Sequence, residues 1–307
     1  MSTADQAPPV EVYDPAMLRL VPADLAVERI AAGFSWAEGP VWVGDSLLCS
    51  DTIRNRIARW QETARGPELT TFRYPSGLPL DRPARVKEPG SNGLTLDRQR
   101  RLIACDHGNR RVSRTEHDGT IVSLAEEWEG KRLNSPNDVI VRSDGTVYFT
   151  DPYFGLLPIR EELQALSFQG LFRIDPAGRL HLLVDDLEGP NGLALSPDER
   201  LLYVADVLRG VIHLYDVATD GSLRNDRTFA QMDTPDGMKV DREGNVYFGT
   251  PHGIRVFSPA GRQLGRILFP ERPSNMAWGD ADRRTLYVTA TTCLYRLRAN
   301  VPGIPAG

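Results

Sequence analysis

Hydrophobic and polar residues alternate along most of this chain, in short segments separated by turn residues. Alternation with a period of two is typical of β-strands that have one buried face. Six of these segments share a further feature, because each begins with an Asn, Asp or Glu and then runs into alternating apolar positions. They start at Glu38, Asn92, Asn137, Asn191, Asp236 and Asn275. The chain therefore contains a repeated unit that opens with a polar residue and a strand.

Each of the six starts is followed by a turn and a second short apolar strand, such as Thr146–Thr150 after Ser143-Asp144-Gly145. A third strand often comes next, as in Val211–Tyr215. Successive starts are 39 to 54 residues apart, and units of roughly 40–50 residues with three or four strands are typical of propeller blades. Six units predict an all-β fold, a six-bladed β-propeller with a central metal site, that fills residues 27–299 as a single domain.

The two ends of the chain lie outside the repeat. Residues 1–26 are predicted to form an N-terminal extension with one helical turn near Asp14–Leu18, and residues 300–307 a C-terminal tail. We expect Val27–Ala32 to supply the outermost strand of the last blade, which would join the two ends of the chain and close the ring.

Two insertions interrupt the repeat. Residues 73–90 are rich in Pro and are expected to form a long loop, and residues 152–169 contain a short helical pattern that begins at Arg160. Both should lie on the rim of the propeller, where loops on a rigid scaffold shape a pocket.

Composition narrows the class of protein. Of the 307 residues, 25% are charged and 41% are hydrophobic, which is typical of a soluble globular protein. The net charge of −5 argues against nucleic acid as a partner, because surfaces that bind it are usually basic. No apolar run approaches the roughly 18 residues of a membrane span, and no secretory signal is visible, so we expect a cytoplasmic protein. Three widely separated cysteines are expected to be free thiols: Cys49, Cys105 and Cys293.

The repeated polar residue begins the innermost strand of each predicted blade, and these strands line the channel of a propeller. The six side chains should therefore converge at one end of the channel. One interpretation is structural, since Asn-Gly and Asp-Gly are common turn dipeptides that a repeat would copy. The other is a site for one divalent cation, because two carboxylates and four amides are the oxygen ligands that hard cations prefer. Calcium suits this mixed set best, with magnesium, manganese or zinc as alternatives, although the absence of Cys and His argues against a dedicated zinc site.

A second set of polar residues ends the second strand of each blade, 13 to 15 residues after the first set. It comprises Asp51, Asp106, Asp151, Asp206, Thr250 and Thr289. We expect these side chains to bond the backbone of neighbouring blades or to orient the first set. His107 follows Asp106 and is a candidate for the same pocket, and His252, two residues after Thr250, is a further candidate. The remaining histidines are expected to be structural: His117, His181 and His213.

Four motifs, in this order and spacing, resemble the senescence-marker-protein/gluconolactonase/luciferin-regenerating-enzyme family of six-bladed propellers. They are Ala37–Trp42 (AEGPVW), Asn134–Val139 (NSPNDV), Gly189–Leu193 (GPNGL) and Pro235–Met238 (PDGM). The resemblance covers nearly the whole chain after residue 30, and Cys105–Val112 (CDHGNRRV) is similar to the bacterial gluconolactonase-like branch. The channel metal of that family is bound by one Glu, two Asn and one Asp. Carried over by motif, the implied ligands are Glu38, Asn137, Asn191 and Asp236.

The resemblance implies hydrolysis of a sugar lactone, such as glucono-1,5-lactone, which would be the small-molecule partner. A cation at the carbonyl oxygen would stabilise the developing oxyanion, and a general base would take a proton from water. His107 or Asp236 is the expected catalytic base, and His107 is preferred because an Asp236 bound to metal would be a poor base. The side chains expected to contact the substrate are Asn92, Arg132, Tyr153 and Asn275.

Two other functions fit the same residues. An esterase or phosphotriesterase would use the same pocket, and the apolar stretch Tyr153–Ile159 favours it, whereas a polar lid would favour a sugar. A non-catalytic calcium-binding propeller would hold the metal without turnover. The natural lactone, the metal and the oligomeric state, monomer or homodimer, stay open at this point.

Overall fold

The computed structural model describes residues 9–81 and 84–307 and confirms the predicted six-bladed β-propeller. Six antiparallel sheets of four or five strands surround one axis. The innermost strand of each sheet contacts the innermost strand of the next, and the sixth contacts the first, so the ring is closed. Closure leaves only short outer strand edges exposed, which protects a protein built entirely of sheets from edge-to-edge association.

The first half of the chain builds two blades and the ribbon that follows them. Strand β1 (Val10–Val12), helix α1 (Met17–Leu20) and strand β2 (Glu28–Ala32) come first. Blade one consists of β3 (Ala37–Val43), β4 (Ser46–Asp51), β5 (Arg56–Thr63) and β6 (Gly66–Arg73). Blade two consists of β7 (Ser91–Leu96), β8 (Leu102–Asp106), β9 (Arg111–Thr115) and β10 (Ile121–Ala125). The ribbon consists of β11 (Glu127–Trp128) and β12 (Lys131–Arg132).

Four more blades complete the ring. Blade three consists of β13 (Val139–Val141), β14 (Val147–Asp151), β15 (Gln169–Ile174) and β16 (Leu180–Leu187), with a 3-10 helix (Phe154–Leu156) and α2 (Arg160–Leu163) inserted before β15. Blade four consists of β17 (Pro190–Leu195), β18 (Leu201–Asp206), β19 (Val211–Val217) and β20 (Leu223–Gln231). Blade five has β21 (Met238–Val240), β22 (Val246–Thr250), β23 (Gly253–Phe257) and β24 (Gln263–Ile267). Blade six has β25 (Pro273–Gly279), β26 (Thr285–Ala290) and β27 (Cys293–Arg298).

The two ends of the chain meet in blade six. Strand β2 pairs with β27 as the outermost strand, with Glu28 opposite Arg296, as the sequence predicts. The guanidinium of Arg296 also donates to the Glu28 carboxylate at 2.7 Å. Because the first and last segments share one sheet, the ring cannot open at this blade without breaking a row of backbone hydrogen bonds.

The N-terminal extension is more closely integrated than the sequence predicts. Strand β1 adds a fifth strand to blade five, with Val10 opposite Ile267. The chain begins to turn at Asp14, whose carboxylate accepts a hydrogen bond from the Ala16 N–H, and the helix itself spans Met17–Leu20, so it overlaps the predicted turn near Asp14–Leu18 and ends two residues later. Met17 is buried in the core that blades five and six share. The first eight residues of the chain lie outside the described residues.

The C-terminal tail lies across the channel at the end where the innermost strands finish. The Gly303 N–H donates to the Arg283 carbonyl at 2.8 Å. Gly303 is packed so closely on the Trp278 indole that a Cβ there would lie 1.9 Å from its Cγ. Residues 304–307 line a cavity of about 250 Å³ at this end, together with the ends of the inner strands. The tail therefore covers the end of the channel opposite to the repeated polar residues.

The two insertions behave as predicted. Residues 74–81 and 84–90 contain no strand or helix, and the insertion in blade three contains only short helical turns. No helix within residues 9–81 and 84–307 has the length and apolar character needed to cross a membrane.

Candidate functional site

Glycines bring the repeated polar residues together. A Cβ at Gly39 would lie 2.0 Å from the Asn92 carbonyl oxygen, and a Cβ at Gly93 would lie 2.6 Å from that of Asn137. The same close approach recurs at Gly192 against the Asp236 carbonyl, at 2.4 Å. Each of these glycines follows a repeated polar residue and touches the polar residue of the next blade. Among these three glycines only Gly39 has a positive φ, of 50°. The glycine of the repeated dipeptide is therefore needed chiefly because it has no side chain and lets neighbouring blades approach closely, rather than because it forms a turn.

Side chains from opposite blades meet in the channel. The Asn275 Nδ2 of blade six lies 3.4 Å from the Asp138 Oδ2 of blade three, and both residues are buried. The Asn275 Oδ1 also lies 3.3 Å from the Lys239 ammonium nitrogen of blade five. These contacts show that the channel is narrow at this level, so that side chains from all sides reach the axis.

The two repeated carboxylates interact with each other. Glu38 and Asp236 are 4% and 5% exposed. Burial raises the pKa of Glu38 well above its usual range, and the negative charge of Asp236 adds to the rise. Burial also raises the pKa of Asp236, to about 6, although the Arg272 guanidinium at 3.0 Å opposes the rise. The pair is therefore poorly neutralised by its protein surroundings, and a bound cation would relieve the repulsion.

The asparagines of the set use their backbone groups to join blades. The backbone carbonyls of Asn92 and Asn191 accept hydrogen bonds from Ser50 Oγ and Thr150 Oγ1, both at 2.7 Å. The Asn137 carbonyl accepts from the Gly93 N–H at 2.7 Å. Because the backbone makes these contacts between blades, the side-chain amides are left for the channel, and that of Asn191 lies close enough to Asp236 to lower its pKa.

The donor chemistry of this set fits a hard divalent cation. Two buried carboxylates and two amide oxygens, those of Glu38, Asp236, Asn137 and Asn191, supply two negative charges and only oxygen ligands. No group of three or more His, Cys, Asp or Glu side chains forms a metal-binding cluster in the described part of the chain. This site has only two such side chains, Glu38 and Asp236. A cation bound here would therefore need the amide oxygens of Asn137 and Asn191 as ligands too.

Three members of the second set of polar residues bond the backbone of their own blade. Asp51 accepts hydrogen bonds from the backbone N–H groups of Ser35 and Trp36, at 3.1 and 3.3 Å. Asp151 and Asp206 likewise bond the segments that lead into the first strands of their own blades. Of the two roles expected, bonds to neighbouring blades or orientation of the first set, these three residues fit the second, because antiparallel pairing places the end of a second strand beside the start of the first. They anchor the segments that carry the repeated polar residues.

His107 is buried at the end of β8, 1% exposed. Its Nδ1 lies 3.3 Å from the Glu88 Oε2, and neither ring nitrogen forms a hydrogen bond with any residue in the described ranges. His252, the other candidate, is exposed. Two of the histidines expected to be structural pair with carboxylates: His181 with Asp175 and His213 with Asp226, both at 3.0 Å. His107 is thus the buried histidine with uncommitted ring nitrogens.

The two rim residues predicted to contact substrate lie in different surroundings. Tyr153 precedes the 3-10 helix, and the Arg160 guanidinium carbon lies 3.7 Å from the centre of its ring. Tyr153 lines a cavity of about 380 Å³ whose other polar walls include Gln164 and Gln169. The Arg132 side chain is 40% exposed; it donates to the Asn109 carbonyl and lies 3.8 Å from the Glu126 carboxylate, beside blade two.

Four residues near the site were missed by the sequence reasoning. They are Glu88, Asp138, Lys239 and Arg272. A signal existed only for Asp138, which stands where four of the other repeats have Gly. The others come from loops or from strand positions outside the repeated polar set, so no periodic pattern marks them.

Comparison with known proteins places this chain in a family. Residues 36–292 match the SMP-30/Gluconolactonase/LRE-like region. A gluconolactonase from Zymomonas mobilis is 36% identical over 95% of this chain and 86% of that protein. The structure of a gluconolactonase from Xanthomonas campestris is 33% identical, with a TM-score of 0.83 over 96% of each chain. The fold alone is shared with the calcium-binding protein regucalcin from Agrobacterium tumefaciens, at 13% identity and a TM-score of 0.73 over 92% of this chain and 96% of that one. The chain belongs to the SMP-30/gluconolactonase/LRE-like family.

Proposed function

We propose that this protein is a cation-dependent lactone hydrolase that opens sugar lactones, such as glucono-1,5-lactone, to aldonic acids. The observation that carries the proposal is the convergence of Glu38 and Asp236, two buried carboxylates from different blades, with amide side chains at one end of the channel. The gluconolactonases among the relatives that span most of the chain support the substrate class.

Four side chains of the inner strands would hold the cation: Glu38, Asn137, Asn191 and Asp236. Calcium is the proposed ion, because it tolerates irregular sets of carboxylate and amide oxygens, and a calcium-binding protein is among the structural relatives. A divalent cation bound there would polarise the lactone carbonyl and stabilise the charge that develops on its oxygen.

His107 is the proposed general base. Its ring nitrogens are uncommitted, whereas Asp236 would be occupied as a ligand and is already paired with Arg272. The water oxygen forms a bond to the carbonyl carbon while one water proton passes to Nε2 of His107. The ring C–O bond then breaks, and the ring oxygen takes that proton to become a hydroxyl group of the aldonic acid. Such proton transfer contributes roughly 10²- to 10⁴-fold to the rate of an enzyme.

The side chains proposed to contact substrate hydroxyls are Asn92, Arg132, Tyr153 and Asn275. The rim around Tyr153 is of mixed character. In the apolar stretch Tyr153–Ile159, Leu156 is 1% exposed whereas Leu157 is 40% exposed. The cavity beside Tyr153 has polar walls, among them Gln164 and Asp185, and apolar ones such as Leu187. The preference for a sugar over a fatty or aromatic ester therefore rests on the gluconolactonases among the relatives.

The test is a pH-indicator assay of acid release from glucono-1,5-lactone, a panel of small lactones, an aryl ester and a phosphotriester. We expect turnover of sugar lactones that is lost with a chelator and restored by added calcium. Glu38→Gln and Asp236→Ala should each abolish cation binding and turnover, and His107→Ala should lower kcat by about 10²-fold or more while the cation stays bound. Full activity of both ligand variants in chelator would exclude a cation-dependent reaction. Calcium binding without turnover of any substrate would identify a non-catalytic calcium-binding propeller.

A further inference from the structure

The loop between blades one and two is fastened to the turn that carries His107. The Leu78 N–H donates to the Pro89 carbonyl at 2.7 Å, and the His107 N–H donates to the Gly90 carbonyl at 3.1 Å. Gly108 lies against the same loop, because a Cβ there would be 2.1 Å from the Pro89 carbonyl oxygen. These contacts hold the loop backbone next to Glu88 against the backbone of the turn, and so set the position of Glu88 relative to His107.

The insertion of blade three covers the other side of the imidazole. A Cβ at Gly155 would lie 2.6 Å from the Cγ of His107. The Leu157 carbonyl accepts a hydrogen bond from the Lys87 N–H at 2.8 Å, which joins this insertion to the loop of Glu88. His107 is therefore enclosed by three segments, and only a small part of the Glu88 side chain, 19%, is exposed.

Glu88 is oriented toward one ring nitrogen. Its Oε2 lies 3.3 Å from Nδ1 of His107 but is not aligned as a hydrogen bond in this structure. Hydrogen bonds of catalytic groups are often long or poorly aligned until the substrate binds. Gly155, which packs on the His107 ring, donates its N–H to Ser135 Oγ at 3.0 Å, two residues before the proposed ligand Asn137. The charge of Glu88 also contributes to the raised pKa of Glu38.

We propose that Glu88 is a positioning residue that accepts the Nδ1–H of His107 and so holds the imidazole with its Nε2 lone pair free to take the proton of the attacking water. The inference rests on the proposed function, since it assigns the orientation of the base in that reaction. A carboxylate on one ring nitrogen fixes both the tautomer and the direction of the ring. Without it, the proton is shared between the two nitrogens and the ring is free to turn.

The test compares full-length wild type with Glu88→Ala and Glu88→Gln, all loaded with calcium. We expect Glu88→Ala to lower kcat for glucono-1,5-lactone by about 10- to 100-fold, the range seen when outer partners of catalytic ligands are removed. KM should change by less than about twofold, because Glu88 is not among the residues proposed to contact the substrate. All variants are assayed at saturating calcium, so that an altered calcium affinity through the nearby Glu38 does not affect kcat. Glu88→Gln should recover part of the loss, since its amide oxygen still accepts from Nδ1.

A purely structural Glu88 would leave the tautomer of His107 unchanged, so the ring is observed directly. The chain has five His residues, and His107→Gln assigns the signals of His107 in a ¹⁵N imidazole spectrum. Wild type should show a protonated Nδ1 and an unprotonated Nε2, and Glu88→Ala a mixture of both forms. Glu162→Gln is the matched control, because it breaks an exposed ion pair, 2.7 Å long, between Glu162 of α2 and Arg85 of the same loop as Glu88.

The outcomes separate the two proposals. Unchanged kcat and an unchanged tautomer in Glu88→Ala, in an active wild type, overturn the role of Glu88 and leave the lactonase intact. An equal loss of kcat in Glu162→Gln also overturns it, because the effect would then come from the loop. A wild type that turns over no lactone with any divalent cation overturns the proposed function itself. If Glu88→Ala fails to fold, Glu88→Gln is the test. A Glu88→Gln protein with a wild-type kcat and an altered His107 tautomer would overturn the proposal, because the orientation of the imidazole would then not affect the reaction.

Discussion

The close contact between inner strands at Gly93 makes a sharp prediction about stability. Replacement by Ala places a Cβ 2.6 Å from the Asn137 carbonyl oxygen and 2.7 Å from the Asp138 Cα, both of them backbone atoms. Neither atom is able to move without shifting the inner strand of blade three, and the closed ring transmits that shift to other blades. Overpacking of this kind costs about 1–3 kcal/mol, occasionally more. We therefore expect the free energy of unfolding of Gly93→Ala to be lower than that of wild type by this amount, and its midpoint in urea to be lower as well.

Two other glycines of the first blade separate contact from backbone strain. Gly44 has a φ of 62° but no atom within 4 Å of an added Cβ, so Gly44→Ala should show only the cost of the left-handed conformation, about 1–2 kcal/mol. Gly39 has a φ of 50° and an added Cβ that would lie 2.0 Å from the Asn92 carbonyl oxygen. Gly39→Ala should therefore cost about the sum of the other two changes, roughly 2–5 kcal/mol.

The measurement is urea unfolding of the three variants and wild type, followed by circular dichroism and by tryptophan fluorescence. Loss of chain entropy in the unfolded state favours each Ala variant by a similar small amount, so the differences between variants isolate the contact. A Gly93→Ala protein as stable as wild type would refute the argument that the glycines are present to let the inner strands approach each other. Equal losses in Gly39→Ala and Gly44→Ala would assign the whole effect to backbone strain.

Two further predictions concern the charges around Asp236. Arg272→Met should tighten calcium binding about tenfold in calorimetric titration, because it removes a positive charge 3.0 Å from the proposed ligand Asp236. Arg209→Met is the control, since Arg209 is equally exposed and lies beside Asp206. Weaker calcium binding in Arg272→Met would contradict the expectation. In chelator, the raised pKa of Asp236, about 6 against 3.8 for an ordinary Asp, means that the folded state holds its proton more tightly than the unfolded state. The stabilisation from this proton is present below about pH 4 and is lost as the pH rises through 6. The free energy of unfolding in urea should therefore fall more steeply between pH 4 and 6 in wild type than in Asp236→Asn. Parallel plots of this free energy against pH for the two proteins would contradict the prediction.

Much of the fold follows from the periodic part of the sequence. Alternating strands and a polar residue that recurs at intervals predict six blades and a closing strand at Val27–Ala32, and the structure has both, with the closing strand at Glu28–Ala32. The role of the repeated glycine cannot be predicted from the sequence, because Asn-Gly and Asp-Gly are common in turns and each segment by itself indicates only a turn. Its contact with the next blade exists only once the ring has closed.

Local and repeated features follow from the order of the amino acids alone: the strands, their turns and the oxygen-bearing residue at the head of each inner strand. The irregular residues that accompany them depend on the folded ring, since Glu88 and Arg272 lie on loops whose paths no period describes. The narrow channel likewise arises from packing, which joins Asp138 to Asn275 across the axis although they are 137 positions apart in the chain. A repeat specifies positions relative to its own blade, whereas contacts between a loop and another blade depend on how the whole ring is assembled.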